Sequence, residues 1–291
     1  MTQRLGVLKT YKLFIGGNFP RTESGRYKRA TNPKTGEHLA NYCHASRKDL
    51  RDAVRAARKA QSGWSGASPY LRGQILYRAA EMLESCRSSM EKELVSTSGI
   101  SDQEAGLEVE ASIDHLVHYA GWSDKFHQIF GAVNPVSSSH FNFSTHEPTG
   151  VVVVFCPEKP PLAGLVGAIA PVIVSGNSCI AIVSDAASLP AITFAEALAT
   201  SDLPGGVVNL LTGEQGELAA PAGSHMDVNA IVEASGNAEL FSALQSQGVS
   251  NLKRVSQRNL TAETWLGEES RDPYTILDTV EVKTAWHPIG A

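Results

Sequence analysis

Val151-Val152-Val153-Val154-Phe155, then a helical stretch, then Cys179-Ile180-Ala181-Ile182-Val183 is the passage on which the fold turns. Short, uninterrupted apolar runs suit strands buried on both faces, and two such strands lying parallel need a crossover helix between them. Leu162, Leu165, Val166, Ile169, Val172 and Ile173 supply one apolar helical face, and Gly176-Asn177 ends it where a left-handed cap is required. Val207 to Leu211, Asn229 to Glu233 and Leu252 to Val255 repeat the pattern downstream. The expected core is therefore an α/β, doubly wound parallel sheet of five strands.

Upstream of this Rossmann-like core the chain reads as an extended arm, turned at Asn32-Pro33-Lys34-Thr35-Gly36, followed by helices. Ser46 with Asp49 is a capping-box start for a helix burying Leu50, Val54, Ala57 and Trp64. Ser68-Pro69 starts a second, expected to bury Leu71, Ile75, Ala79, Met82, Leu83 and Cys86. A third carries Ile113, Leu116, Val117 and Ala120 on one stripe, which would leave Glu108, Glu110, Asp114 and His118 towards solvent. His140 to Glu147 and Thr279 to Trp286 alternate polar and apolar residues and are expected to form a β-flap outside the core, whose unpaired backbone groups invite another chain. The resulting division is 1–130 for the arm and helices, 131–147 with 272–291 for the flap, 148–260 for the core and 261–271 for a connecting loop.

Composition narrows the function classes. A chain of 291 residues, 42% hydrophobic, can bury a substantial core, and a net charge of −5 without a basic stripe argues against nucleic acid. No run approaches the ~20 apolar residues of a membrane span, and Met1 to Gly17 lacks a signal-peptide core, so a cytoplasmic setting is expected. The four cysteines, Cys43, Cys86, Cys156 and Cys179, lack metal or disulfide spacing. His115 and His118 share a helix but have no third ligand, so no metal is expected.

Several stretches closely resemble the aldehyde dehydrogenase superfamily. They are Leu13-Phe14-Ile15-Gly16-Gly17, Ala120-Gly121-Trp122-Ser123-Asp124-Lys125, Glu147-Pro148-Thr149-Gly150-Val151, Ile169-Ala170-Pro171, and Asp202-Leu203-Pro204-Gly205-Gly206 with Thr212-Gly213 beyond it. Phe130-Gly131-Ala132-Val133-Asn134-Pro135 with His140-Phe141-Asn142-Phe143 is similar, more narrowly, to the shortened, non-catalytic second module of two-module (family 16) members. In the family a whole catalytic domain, carrying the nucleophilic cysteine, separates the counterparts of Leu252-Lys253-Arg254-Val255-Ser256 and Glu281-Val282-Lys283-Thr284-Ala285-Trp286; here a short join does.

The resemblance fails at the functional positions. The family's Pro-Trp-Asn is matched by Pro157-Glu158-Lys159, and its Lys-Pro-Ser-Glu, which holds the adenosine ribose, by Ile182-Val183-Ser184-Asp185. Its Phe-Thr-Gly-Ser turn aligns with Glu233-Ala234-Ser235-Gly236, which brings an acid beside the pyrophosphate position, where like charges repel. The Glu-Leu-Gly-Gly segment of the general base becomes Gln257-Arg258-Asn259-Leu260, and no cysteine follows Cys179. Cys156, at a strand end, is read as core rather than as a substitute nucleophile.

These readings point to an aldehyde dehydrogenase-like pseudoenzyme subunit without catalytic residues, assembling with a catalytic NAD(P)-dependent aldehyde dehydrogenase, with itself, or both. Phe141, Phe143, Val282 and Trp286 are the candidate interface residues. No cofactor is expected. The alternative is an NAD(P)-binding or cross-subunit oxidoreductase component, with Lys159, Ser184, Asp185, Ser235 and Gly236 as vestigial cofactor contacts. The turn at Thr212-Gly213-Glu214-Gln215-Gly216 is a lesser phosphate candidate, since a chain reversal needs its glycines anyway.

Overall fold

The computed structural model describes residues 7–290; the opening Met1 to Gly6 of the segment read for a leader lies outside the described residues. The arm supplies β1 (Thr10–Tyr11), β2 (Tyr27–Thr31) and β3 (His38–Cys43), a small sheet of order β1-β3-β2. Helices α1 (Arg47–Gly66), α2 (Pro69–Ser85), α3 (Arg87–Ser98), α4 (Asp102–Trp122) and α5 (Phe126–Phe130) follow, then β4 (Ala132–Asn134) and β5 (His140–Pro148). The core alternates β6 (Val151–Phe155), α6 (Ala163–Val174), β7 (Ser178–Val183), α7 (Ser188–Ala199), β8 (Val208–Thr212), α8 (Gln215–Ser224), β9 (Ala230–Glu233), α9 (Ala238–Gly248) and β10 (Arg254–Gln257). Short α10 (Ala262–Leu266) and turns of tighter helix lead to β11 (Val280–Pro288).

The central sheet has order β10-β9-β6-β7-β8 and is parallel throughout. Its direction of growth reverses beside β6, which makes it doubly wound as the sequence pattern requires. Strand residues alternate between two cores. Val152, Val154, Ala181 and Val232 face α2, α3, α4, α6 and α7, while Val153, Phe155, Ile180 and Ile231 face α1, α8 and α9.

Both predicted caps form: the Ser46 hydroxyl accepts from the Asp49 amide within a capping box, and Ser68 caps α2. Gly176 adopts φ 98° beyond α6, the region open to glycine. Four expectations need correction. Leu71 is 45% exposed, and Arg72 takes the buried place instead. Its guanidinium donates to the carbonyls of Val174 (3.0 Å) and Ala67 (2.6 Å), which would otherwise lack partners at helix ends. Met82 and Cys86 are only half-buried. The last strand begins at Arg254, because Leu252 sits at φ 56° in a turn and is 92% exposed.

The fourth correction concerns α4, whose buried stripe is rotated from the expected one. Ala105, Glu108, Val109, Ser112, His115, Leu116 and Tyr119 face inward, while Val117 is exposed. Glu110 and Asp114 do face solvent, His118 is half-buried, and Glu108 is buried to 3% exposure. The physical reason is the start of α6: the Leu162 and Ala163 amides donate to the Glu108 carboxylate at 2.6 and 3.4 Å. Amides in a first helical turn need an acceptor, and α4 supplies it.

The flap is a separate sheet of order β11-β5-β4, with Val280 opposite Pro148 and Trp286 opposite Asn142. Among the described residues, no helix is long and apolar enough to cross a membrane.

Candidate functional site

In a doubly wound sheet, ligands bind beyond the carboxyl ends of the strands. All five vestigial candidates fall there: Lys159 after β6, Ser184 and Asp185 after β7, Ser235 and Gly236 after β9. The structure does not bring them together in one pocket. Asp185 and Ser184 line a cleft of about 330 Å³ with Glu158, Gly213, Glu214 and Gln215. Lys159 is exposed beside that cleft and does not line it. Ser235 and Gly236 form a turn of their own.

At that turn the backbone amides of Ser235 and Asn237 are already committed. Glu233 closes β9, is fully buried, and turns its carboxylate back under the loop. One oxygen accepts from the Ser235 amide at 2.7 Å, from the Ser235 hydroxyl, and at 3.4 Å from the Asn237 amide. The other accepts from the Gln257 side chain on β10 at 3.1 Å. Gly236, at φ 76°, curls the turn so that these amides converge. Asn237 then caps α9 by accepting from the Leu240 amide. Amides of the turn that leads into α9 are therefore bonded to a carboxylate of their own chain.

The cleft after β7 is acidic. Glu158, Asp185 and Glu214 line it. Lys28 reaches in from β2 and pairs with Asp185 at 2.5 Å and with Glu214 at 3.4 Å. Burial opposes the charge of Lys28, but its bonds to these carboxylates outweigh it and raise its pKa. Burial also raises the Tyr42 hydroxyl, followed by the charge of Asp185 beside it. Gln215 bridges the strand ends, donating to the carbonyls of Cys156 (2.8 Å) and Ile182 (2.9 Å). The lesser phosphate candidate at Gly213 thus opens onto carboxylates.

The segment matched to the general base is equally committed. Arg258 is 6% exposed, donates to Ala168 O at 3.1 Å and Thr275 O at 3.0 Å, and pairs with Asp278 at 3.3 Å. It fastens the join between β10 and β11 to α6. The join sends Trp265, Ser270, Ile276 and Thr279 into the core, while most of its other residues are exposed or half-buried. Tyr119 of α4 donates to Ser270 O at 3.2 Å and lies 3.0 Å from the Thr275 hydroxyl. His115 contacts the Ser270 hydroxyl at 2.6 Å, and burial lowers its pKa to about 4. Burial also pushes Glu108 up to about 7, against the amides that favour its charge.

Cys156 and Cys179 are fully buried with raised thiol pKa values, as core residues should be. Among the described residues, no group of three or more His, Cys, Asp or Glu side chains is placed to hold a metal. Sequence reasoning missed Lys28 altogether and the roles of Gln215 and Gln257, all of which act through contacts distant along the chain. The acid at Glu233 was legible, but its direction was not.

The candidate interface residues divide by face. Register sets Phe141 opposite His287 and Phe143 opposite Ala285 on one face, and Val282 opposite His146 and Trp286 opposite Asn142 on the other. Phe141, Val282 and Trp286 are 44%, 61% and 59% exposed, and Phe143 is half-buried. Phe141 and Phe143 rings lie 5.5 Å apart, while Trp286 stands edge-on to His140 at 5.8 Å.

Residues 20–259 match the Aldehyde dehydrogenase family, so the chain belongs to it. Retinal dehydrogenase 2 of Gallus gallus is 33% identical over 254 residues, covering 86% of this chain and 48% of its own length. Aldehyde dehydrogenase, cytosolic 1 of Elephantulus edwardii is 31% identical over 250 residues, covering 84% and 49%. An NAD+ complex structure of aldehyde dehydrogenase from Bacillus cereus superposes with TM-score 0.81 at 26% identity, over 86% of this chain and 50% of that one. The chain spans about half the length of the relatives it matches, and the family's catalytic domain is absent from it.

Proposed function

We propose that this aldehyde dehydrogenase family chain is a non-catalytic subunit, a pseudoenzyme whose role is to build or stabilise an assembly with a catalytic NAD(P)-dependent aldehyde dehydrogenase, with itself, or both. The observation that carries the reading is the fully buried Glu233 carboxylate in the amide turn before α9. A cofactor pyrophosphate there would have to eject it, and the carboxylates of Glu158, Asp185 and Glu214 oppose an anion in the neighbouring cleft. These residues do not fit NAD(P), and the proposal includes no cofactor. The reaction centre fares similarly, since no cysteine follows Cys179 and Arg258 is spent on holding the join in place.

The flap supports the assembly half of the reading. Apart from Val280, β11 is half-buried or exposed along its length, and Val282 and Trp286 project apolar surface from it. A small sheet so little covered gains stability by burying that surface against another chain. The narrower likeness to the second module of two-module aldehyde dehydrogenases, the cytoplasmic setting, and the exclusion of nucleic acid and membrane as partners belong to this proposal too.

The test is a tagged pull-down from native cells with mass spectrometry and sizing of what co-elutes. Stoichiometric recovery of a full-length aldehyde dehydrogenase is the expected result. Titration with NAD+ and NADP+ should give no heat up to millimolar concentration; micromolar binding would overturn the non-catalytic reading in favour of a cofactor-handling one.

A further inference from the structure

We propose that the cleft between α1 and the end of α8 is a binding site for a small dicarboxylate, a molecule with two carboxylate groups on a short carbon frame. The inference is independent of the assembly reading, and the cleft shares no residue with the one after β7.

The cleft has a volume of about 570 Å³, and none of its eight lining residues is an acid, although the chain carries 30 Asp and Glu against 25 Lys and Arg. Arg47, Lys48 and Arg51 of α1 line it from one side, and His225, which ends α8, from the other. The capping box decides which charges are left over. Asp49, the one acid between Arg47 and Arg51 in the chain, is buried and turns an oxygen back to the Ser46 amide at 2.7 Å and the Thr22 hydroxyl at 2.8 Å. Among the described residues Arg47 has no carboxylate within salt-bridge distance, and Arg51 has only Asp52 at 3.8 Å, which Arg55 shares at 3.9 Å. Lys48 bonds Glu23.

His225 adds a directed donor. Its Nδ1 accepts from the Asp227 amide at 3.2 Å, which places the ring proton on Nε2, where it has no partner among the described residues. Burial lowers the pKa of His225; Asp227 opposes that, while Lys253 and Arg47 reinforce it, so the ring is neutral at pH 7 and donates from Nε2. Spacing selects the anion. Arg47 and Arg51 stand one helical turn apart, each with a planar fork that takes a carboxylate bidentately. Pro221 and the 69% exposed Met226 supply apolar surface for a carbon frame. Two planar groups joined by carbon meet both forks and this surface, whereas a single phosphate is a compact tetrahedral anion that engages one fork and leaves the apolar surface bare.

Calorimetric titration of the purified full chain in about 0.15 M salt, with succinate, glutarate, butyrate and inorganic phosphate as probes, tests this. Succinate or glutarate should bind with a dissociation constant below about 1 mM, and butyrate and phosphate at least about tenfold more weakly. The double variant Arg47→Ala with Arg51→Ala should lose that binding at an unchanged circular dichroism spectrum, while Arg55→Ala, outside the cleft, should keep it. The His225 pKa, read by NMR on the wild type and so independent of any variant, should rise when the dicarboxylate is bound, because the anion favours the charged ring. Absence of dicarboxylate binding, equal binding of phosphate, binding that survives the double variant, equal loss in Arg55→Ala, or an unmoved His225 would each overturn the site. None of these outcomes bears on the pull-down that tests the assembly reading.

Discussion

Ser235 donates its backbone amide to the carboxylate of Glu233 at 2.7 Å, two residues earlier in the chain, so that the turn before α9 is closed by its own acid. In the resemblance this turn lies near the cofactor's phosphates. The same amides that would hold a ligand now stabilise the fold.

Removing that acid should therefore destabilise the protein. Glu233→Ala leaves the half-buried Ser235 and Gln257 donors without an acceptor, at a cost of about 1 kcal/mol. Glu233→Gln keeps an acceptor and should lose less. Urea unfolding of both variants checks the order; equal stability of Glu233→Ala and wild type would mean that the turn does not depend on the carboxylate.

Stability should respond to pH through two buried groups of opposite sense. Glu108 keeps its proton to about pH 7 in the folded chain, against an ordinary value of 4.5. Between those values the folded state binds more protons than the unfolded one, so its contribution is full below 4.5 and is lost as pH rises through 7. His115, lowered from 6.5 to about 4, binds fewer protons when folded, so its contribution is lost as pH falls through that interval. Glu108→Gln should abolish the decline towards neutral pH, worth about 3 kcal/mol, and leave the acid-side loss intact. Melting temperature against pH, from 4 to 8, reads both.

Arg258 should matter more than its distance from any cleft suggests. Arg258→Ala leaves the carbonyls of Ala168 and Thr275 and the part-exposed Asp278 carboxylate without their donor, at about 2–3 kcal/mol. Hydrogen exchange should then show loss of protection between Ala262 and Thr279, while the central sheet keeps its own. Uniform loss across the chain would contradict a local role for the arginine.

On the flap, Trp286→Lys should change monomer stability by no more than about 0.5 kcal/mol, because the side chain is 59% exposed. Phe143→Lys, half-buried on the opposite face, should cost more. Thermal denaturation of dilute protein separates the two. An equal loss in both would mean that the faces are covered alike.

The strands were legible because burial on both faces demands continuous apolar runs, and Val151 to Phe155 admits little else. The caps at Ser46 and Ser68 were legible because they act within one turn. Glu108 was misread because helical periodicity assigns acids to the wet face, and nothing local reveals that the first amides of α6 need an acceptor. Leu71 and Arg72 exchanged roles for a similar reason: the carbonyl of Val174 that holds the guanidinium is distant in the chain.

The sequence by itself determined the doubly wound sheet, the flap strands and the departures from the family's functional residues, since each follows from local pattern or from residue identity. Tertiary structure decided what the substituted residues do instead. Glu233 closes a turn, Lys28 crosses from β2 to neutralise Asp185, Arg258 fastens the join to α6, and the interface candidates part onto two faces. The first three outcomes depend on partners brought within about 3 Å by packing, a distance at which direction as well as charge sets the energy.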